Sequence, residues 1–572
     1  MDRRTSASGF SSRSRREMLK LLAAGGAAVG GWGYASKIAR SAVIADGPGG
    51  FIDVARVPNA VTVITEEGRL SATGDGRGAW DATGAKGTTR VVTRVDGAAS
   101  RVTLSAAQDA RPKWIELRWS GQTSAWQRVL GDQWERAYGD LRWRSPQAGR
   151  VSPWYLVMET PQGTHAVGVK TQPNAFCSWL FDTDGMVLLC DVRSGGVGVE
   201  LGDRELHVCD VISRRGSQDE SAFAALCAFC KQMCPKPRLT DQPVYGFNDW
   251  YYAYGHNTPA GLLADADALS ELASSKTNRP YCVIDDGWQT KEKAKEGQWS
   301  ATRPTFGFMS ELAAEMKKRN VRPGIWMRPL VDETKSWPQP WHMSRDRNLL
   351  DPTILEVKQV VANDITRLRE WGFQLIKHDF SSVDIAGRWG REMQDGCVTQ
   401  DGWSFHSRKQ TTAEIINDLY ATIRKAAGDD VVVLGCNTMS HLTAGVFEVN
   451  RIGDDTSGNE WHRNPQMGVN CLAFRGPQQG AFYGADADCA PITTRIEWKR
   501  TKQWLDLVAR SGTPLFISLE RKAATTEVKD AIRKALSAAA LNQPLGEPLD
   551  WTETATPRRW KLDGEIVTYD WS

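Results

Sequence analysis

From Val244 onward, short apolar runs alternate with longer amphipathic stretches, and this rhythm constrains the fold more than any other feature of the chain. Strands separated by helix-length segments cannot close as tight hairpins. They pair in parallel, with helices covering the sheet. The apolar runs end near Asn248, Asp285, Met327, Asp379, Gly435, Arg451, Gly484 and Ser518. Eight units over roughly 275 residues match the size of a (β/α)8 TIM barrel. Helical patterns fill most of the gaps, at Leu262 to Leu272, Leu312 to Arg319, Ile354 to Trp371 and Glu414 to Ala427.

Upstream the pattern differs. Val61 to Thr65, Thr89 to Val95, Trp114 to Trp119 and Met186 to Val192 are short runs of β-branched and aromatic residues between turn residues. Such spacing predicts a β-sandwich. A helical stretch, Glu220 to Cys234, ends at Pro235 and Pro237. After Ser518 come a helix near Val528 to Leu541 and short strands at Arg559 to Leu562 and Glu565 to Tyr569. The expected fold class is therefore multidomain. It comprises a leader at 1–45, an N-terminal β-sandwich at 46–235, a (β/α)8 barrel at 240–520 and a C-terminal helix with a small β segment at 521–572.

The chain has 572 residues, too many for a single core, and a net charge of +3, too small to imply nucleic acid or an anionic membrane as partner. Its 24 tryptophans suit a sugar binder, since aromatic faces stack on sugar rings, but also serve as bulky core residues. Of the eleven cysteines, Cys227, Cys230 and Cys234 share one helix face in an apolar setting, which reads as packing rather than a metal cluster. Disulfides are open in an oxidising compartment, without a pairing legible from spacing.

Ser14-Arg15-Arg16-Glu17-Met18-Leu19-Lys20 precedes a Gly/Ala-rich apolar run. This is the pattern of a twin-arginine export signal, with cleavage after Ala35 or Ala45, and it predicts a periplasmic or secreted protein with no other membrane segment.

In a barrel of this kind chemistry sits at the C-terminal strand ends. There the sequence places Asn248-Asp249-Trp250, Asp285-Asp286-Gly287-Trp288-Gln289, Trp326-Met327-Arg328, Lys377-His378-Asp379 and Arg451-Ile452-Gly453-Asp454-Asp455. A single Asp there would be an ordinary loop residue. Carboxylates beside aromatics at several ends suit glycosidic bond cleavage, in which one carboxylate attacks the anomeric carbon and another protonates the leaving oxygen. Other barrel chemistries stay open on this pattern alone.

These motifs, in this order, resemble those of the melibiase-type α-galactosidases and their relatives the raffinose synthases. Ile284-Asp285-Asp286-Gly287-Trp288-Gln289 is close to the group's hallmark, followed by Gly297-x-Trp299, Pro323-Gly324-Ile325-Trp326, Lys377-x-Asp379 and Arg451-x-x-x-Asp455. The likeness covers roughly residues 240 to 520. It implies a retaining exo-glycoside hydrolase that cleaves terminal α-galactosides through a covalent glycosyl-aspartate. Asp379 is the implied nucleophile and Asp455 the acid/base, with Asp454 as fallback. Asp285 and Asp286 would hold sugar hydroxyls, O4 and O6 of a galactose-like ring. Lys377 would bind hydroxyls, Trp326 would wall the pocket, and Arg451 would bind sugar or orient the acid/base. Cys436 is carried over more weakly, against a core reading.

The sequence also departs from the family. Gly435-Cys436-Asn437-Thr438-Met439 replaces a Gly-rich stretch, and Arg328 stands where many members carry an acidic or apolar residue. No metal or cofactor is implied. The eight histidines lack ligand spacing, and no phosphate loop follows a strand. An oligosaccharide or glycoside is the expected partner. Two alternatives stand beside this reading: a raffinose-synthase-like transglycosylase or hydrolase of a related glycoside, and a catalytically silent carbohydrate-binding protein.

Overall fold

The structure is a computed structural model describing residues 50–393 and 397–572. The twin-arginine segment lies outside the described residues. Among them, no helix is long and apolar enough to cross a membrane.

The upstream region forms two antiparallel sheets of six and eight strands. Strand Ala60–Thr65 alternates half-buried and buried positions, so one face of its sheet is sealed. Helix Ala222–Met233 starts where the Ser221 side chain accepts a hydrogen bond from Ala224 N, and it buries Cys230 while Cys227 is only half-buried. All eleven cysteines are free thiols.

The central sheet is parallel throughout. Its pairing order is Gly484–Asp486, Val449–Arg451, Val432–Gly435, Leu375–His378, Arg322–Met327, Tyr281–Ile284, Tyr245–Asn248, Leu515–Leu519 and Cys489–Ile492. Most of these strands are buried along their whole length, as expected of strands with covered faces. Helices Pro259–Leu272, Met309–Lys318, Leu355–Glu370, Thr412–Ala427 and Trp498–Arg510 lie between successive strands. Thr411 and Glu414 form a reciprocal capping box that sets the start of the fourth helix.

Here the structure corrects the expectation of eight strands: nine segments are present. The extra one arises where the stretch from Gly484 to Ile492 breaks at Ala487 and Asp488. Asp488 has a left-handed φ of 75°, which interrupts strand geometry. Its carboxylate accepts hydrogen bonds from Thr456 N (2.8 Å) and the Tyr251 hydroxyl. The first piece pairs with Val449–Arg451 and the second with Leu515–Leu519, so chain rather than backbone pairing joins the two ends of the sheet.

Downstream, helix Thr526–Ala539 is followed by a three-stranded antiparallel sheet of Glu547–Pro548, Arg559–Leu562 and Glu565–Thr568, with Trp560 fully buried beneath it.

The segment between strands Arg128–Gly131 and Ser152–Pro153 leaves the upstream sheets and joins the central region. Ala137 N donates to Ile452 O (2.9 Å), and Asp454 N donates to Ala137 O (2.8 Å). The buried pair Arg475–Asp132 (2.7 Å) fastens the base of this segment.

Candidate active site

Strand alternation places Lys377 and Asp379 on one side and His378 on the other. His378 packs edge-on against Tyr420 and Phe447 (5.5 Å each), and burial pushes its imidazole down to about 3. Just past the strand end, Asp379 meets three N–H donors. Phe380 N (2.8 Å) and Asn437 N (3.0 Å) reach its Oδ1, and the Trp326 indole (2.9 Å) reaches its Oδ2. Phe380 achieves this from a left-handed φ of 65°, a strained conformation for a bulky residue of the kind that gathers at functional sites.

Lys377 donates to Asp285 Oδ2 (2.6 Å), which also accepts from Asn248 Nδ2 (2.8 Å). Burial is the largest single influence and opposes the ammonium, but the neighbouring acidic groups, Asp285 first among them, together outweigh it and hold the Lys377 pKa well above its usual value. Asp285 Oδ1 accepts from Asp286 N (2.9 Å). Behind it, burial and then the Asp285 charge push Asp249 up to about 8, so its carboxyl is protonated at neutral pH. Of the Asp285-Asp286 pair, Asp286 is the half-buried member, with Oδ1 taken by Gln289 (2.7 Å) and its pKa raised by burial. Gly287 makes the turn possible: its φ is 115°, and a Cβ there would lie 2.5 Å from Gly255 O.

Arg451 donates to Asp455 Oδ1 (3.1 Å) and pairs with Asp488 (3.0 Å), while its Nη1 lies 3.6 Å from the Cys436 sulfur. Burial and the Asp379 charge push the Cys436 thiol up, so it faces the guanidinium as a neutral group. Burial alone would raise the Asp455 pKa. The charges of Arg136, Arg451 and Lys377 outweigh it and hold the carboxyl below the usual carboxylate range. Asp454 spends both oxygens on ion pairs, with Arg136 (2.7 Å) and Arg463 (3.0 Å). The Asp455 side chain stays 39% exposed with only Oδ1 paired, which favours it over Asp454 as the reactive member.

All eight residues singled out from sequence therefore join one constellation. It runs from Asp286 and Asp285 through Lys377 to the neighbouring strand's Trp326. From there it passes through Asp379 to Cys436, Arg451 and Asp455. Trp326, expected as a pocket wall, is buried, packs edge-on against Trp299 (5.8 Å) and supplies an N–H to Asp379. Arg328 pairs with Asp384 (2.6 Å) and lies over the Phe380 ring (4.6 Å), bracing the turn that follows Asp379.

Sequence reading missed Glu135 and Arg136. Arg136 is 3% exposed and grips both Asp454 (2.7 Å) and Asp455 (3.0 Å). Its neighbour Glu135 accepts from Ser382 and from Gly390 N (2.9 Å), both in the stretch after Asp379. One dipeptide of the upstream region thus ties together the segments bearing both aspartates. No motif or periodicity marks it, because Arg136 and Asp455 stand 319 positions apart.

No protein-family model matches the chain. Solved structures do. An α-galactosidase from Thermus thermophilus, solved with p-nitrophenyl α-D-galactopyranoside, aligns over 86% of this chain and 99% of its own, at 16% identity and a TM-score of 0.57. The GH36 α-galactosidase AgaA from Geobacillus stearothermophilus aligns over 88% of this chain and 79% of its own, at 13% identity and a TM-score of 0.55. The fold is that of the GH36 α-galactosidases. A Lactobacillus brevis α-galactosidase extends the likeness, over 83% of this chain and 72% of its own at 13% identity and a TM-score of 0.52. Identity this low carries the fold alone. On the GH36 frame the residues facing the site are this chain's own, and their roles rest on the geometry above.

Proposed function

We propose that the chain is a retaining exo-α-galactosidase, with Asp379 as nucleophile and Asp455 as acid/base. The observation that carries this reading is the contrast between two aspartates at the ends of parallel strands, each held by its own set of donors. Asp379 is oriented by three N–H donors two residues from Lys377 of the Lys377–Asp285 ion pair, and Asp455 is held by two guanidinium groups, Arg136 and Arg451. Structures sharing the fold were solved with stachyose and raffinose, which supports a galactoside as substrate. In the proposed cycle Asp379 attacks the anomeric carbon while Asp455 protonates the departing oxygen. Asp455 then takes a proton from the water that releases the sugar. The frame for this chemistry is read as a (β/α)8 barrel at 240–520 whose seventh strand is split at Asp488. The 46–235 sandwich and the 521–572 tail complete the proposed domains.

Substrate choice and stereochemistry test the reading. Asp286 and the Lys377–Asp285 pair would hydrogen-bond an axial O4, and an α-glucoside loses that contact. The kcat/KM for an aryl α-galactoside is expected to exceed that for the α-glucoside by at least about a hundredfold. NMR of the first-formed sugar should show the α anomer. An initial β anomer, or equal turnover of both substrates, would sink the assignment. Galactosyl transfer to added sugar exceeding hydrolysis would favour the transglycosylase, and no turnover would favour the silent binder.

The proposed acid must carry a proton that Arg136 and Arg451 oppose. Removing one cation raises the Asp455 pKa, so the protonated form survives to higher pH. Arg136→Met should therefore move the alkaline limb of the kcat/KM profile upward by about one pH unit or more. An unmoved limb would separate Arg136 from the acid's titration.

Export by the twin-arginine route is part of the proposal. Changing Arg15 and Arg16 to Lys should leave the protein in the cytoplasm, and unchanged periplasmic yield would point to another route.

A further inference from the structure

The upstream sheets contain a second cluster of reactive groups, away from the proposed active site. Cys177 on strand Phe176–Asp182 and Cys190 on strand Gly185–Asp191 sit directly opposite each other in an antiparallel pair, with their sulfurs 3.9 Å apart. Cys209 belongs to strand Leu206–Arg214 of the other sheet. All three sulfurs lie within 4.8 Å of one another, and all three residues are fully buried free thiols.

A backbone irregularity accompanies this meeting. In strand Leu206–Arg214 the register slips between His207 and Cys209, leaving Val208 unpaired. A regular strand would alternate its side chains between faces. Here Val208 and Cys209 are both fully buried. The bulge thus accompanies a cysteine that meets the pair on the facing sheet.

We propose that Cys177, Cys190 and Cys209 form a three-thiolate site for a soft monovalent metal ion of the copper(I) type, linking the two sheets. Three equal metal–sulfur bonds of about 2.3 Å at trigonal angles put the sulfurs about 4 Å apart, close to the separation the pair already has. Among the described residues no fourth His, Cys, Asp or Glu joins the cluster, so a tetrahedral zinc site would lack a ligand. Thiolate sulfur selects copper(I) over harder ions. Each copper–sulfur bond replaces an S–H bond and releases a proton to solvent, with no change in oxidation state. Because the cluster is buried, the ion enters before or during closure of the sheets.

The test uses the full chain, expressed with copper in the medium and purified anaerobically without chelators. Metal analysis should find one copper per chain, and X-ray absorption should show three sulfurs at about 2.3 Å. Cys209→Val should remove the copper while the circular dichroism spectrum stays native, and Cys230→Ala, outside the cluster, should keep it. Should the Cys209 variant not fold, Cys177→Ala and Cys190→Ala carry the same comparison. Copper retained by these variants would overturn the assignment. So would a copper-free wild type with every thiol titratable after denaturation, which would make the trio packing only. A Cys177–Cys190 disulfide in the peptide map would overturn it in favour of an oxidised pair.

Discussion

Asp379→Ala is expected to lower kcat on an aryl α-galactoside by at least about a thousandfold while leaving the circular dichroism spectrum unchanged. Three N–H donors orient this carboxylate, and alanine leaves Phe380 N, Asn437 N and the Trp326 indole without that acceptor. Azide supplies the control. A small anion entering the space left by the side chain should attack the anomeric carbon from the same face and restore turnover. Because that product is never hydrolysed by a second displacement, it should be the β-galactosyl azide. Activity near the wild-type level without azide would remove Asp379 from the nucleophile's role. An α-galactosyl azide would place the missing group on the other face of the sugar.

The second large effect is on stability. Lys377 and Asp285 form a buried pair at 2.6 Å, with side chains 10% and 4% exposed. Lys377→Met keeps the length of the side chain but leaves Asp285 with Asn248 and a backbone N–H as its remaining partners. Removing one member of such a pair costs about 3–5 kcal/mol, because the remaining charge stays buried without its counter-charge. The urea midpoint should fall accordingly. If the uncompensated charge is the cause, adding Asp285→Asn should recover much of the loss, since the amide needs no counter-ion. A double variant less stable than Lys377→Met would show instead that Asp285 stabilises the fold through its other contacts. Both variants should also raise KM, since this pair lies where the proposed sugar hydroxyls bind.

Much of this architecture is written locally. The apolar runs at Tyr281–Ile284 and Leu375–His378 are strands for the reason the sequence suggests: they are short, continuous and separated by helix-length segments. The observed ends Asn248, Met327, Gly435 and Arg451 match the expected ones, and the polar residues that follow converge because parallel strands all point the same way. Lys377 and Asp379 share a side because strand geometry has period two, which spacing alone conveys.

Other features depend on contacts between distant parts of the chain, which no local pattern encodes. Arg136 reaches Asp455 only because a segment of the upstream region docks against Ile452 and Asp454, and nothing near residue 136 announces that partner. The N–H of Trp326 reaches Asp379 because the register of two neighbouring strands sets Trp326 beside Lys377, a pairing that neither segment shows by itself. The split at Asp488 follows from the hydrogen bonds its carboxylate makes with Tyr251 and Thr456, far away in sequence. Cys209 meets Cys177 and Cys190 across two sheets, beside a bulge that strand propensity does not reveal. Sequence by itself determined which elements form and which residues lie at their ends, because those depend on near neighbours. Tertiary structure decided which charges are paired, which side chains are turned inward and which thiols touch, because those depend on the packing of elements hundreds of residues apart.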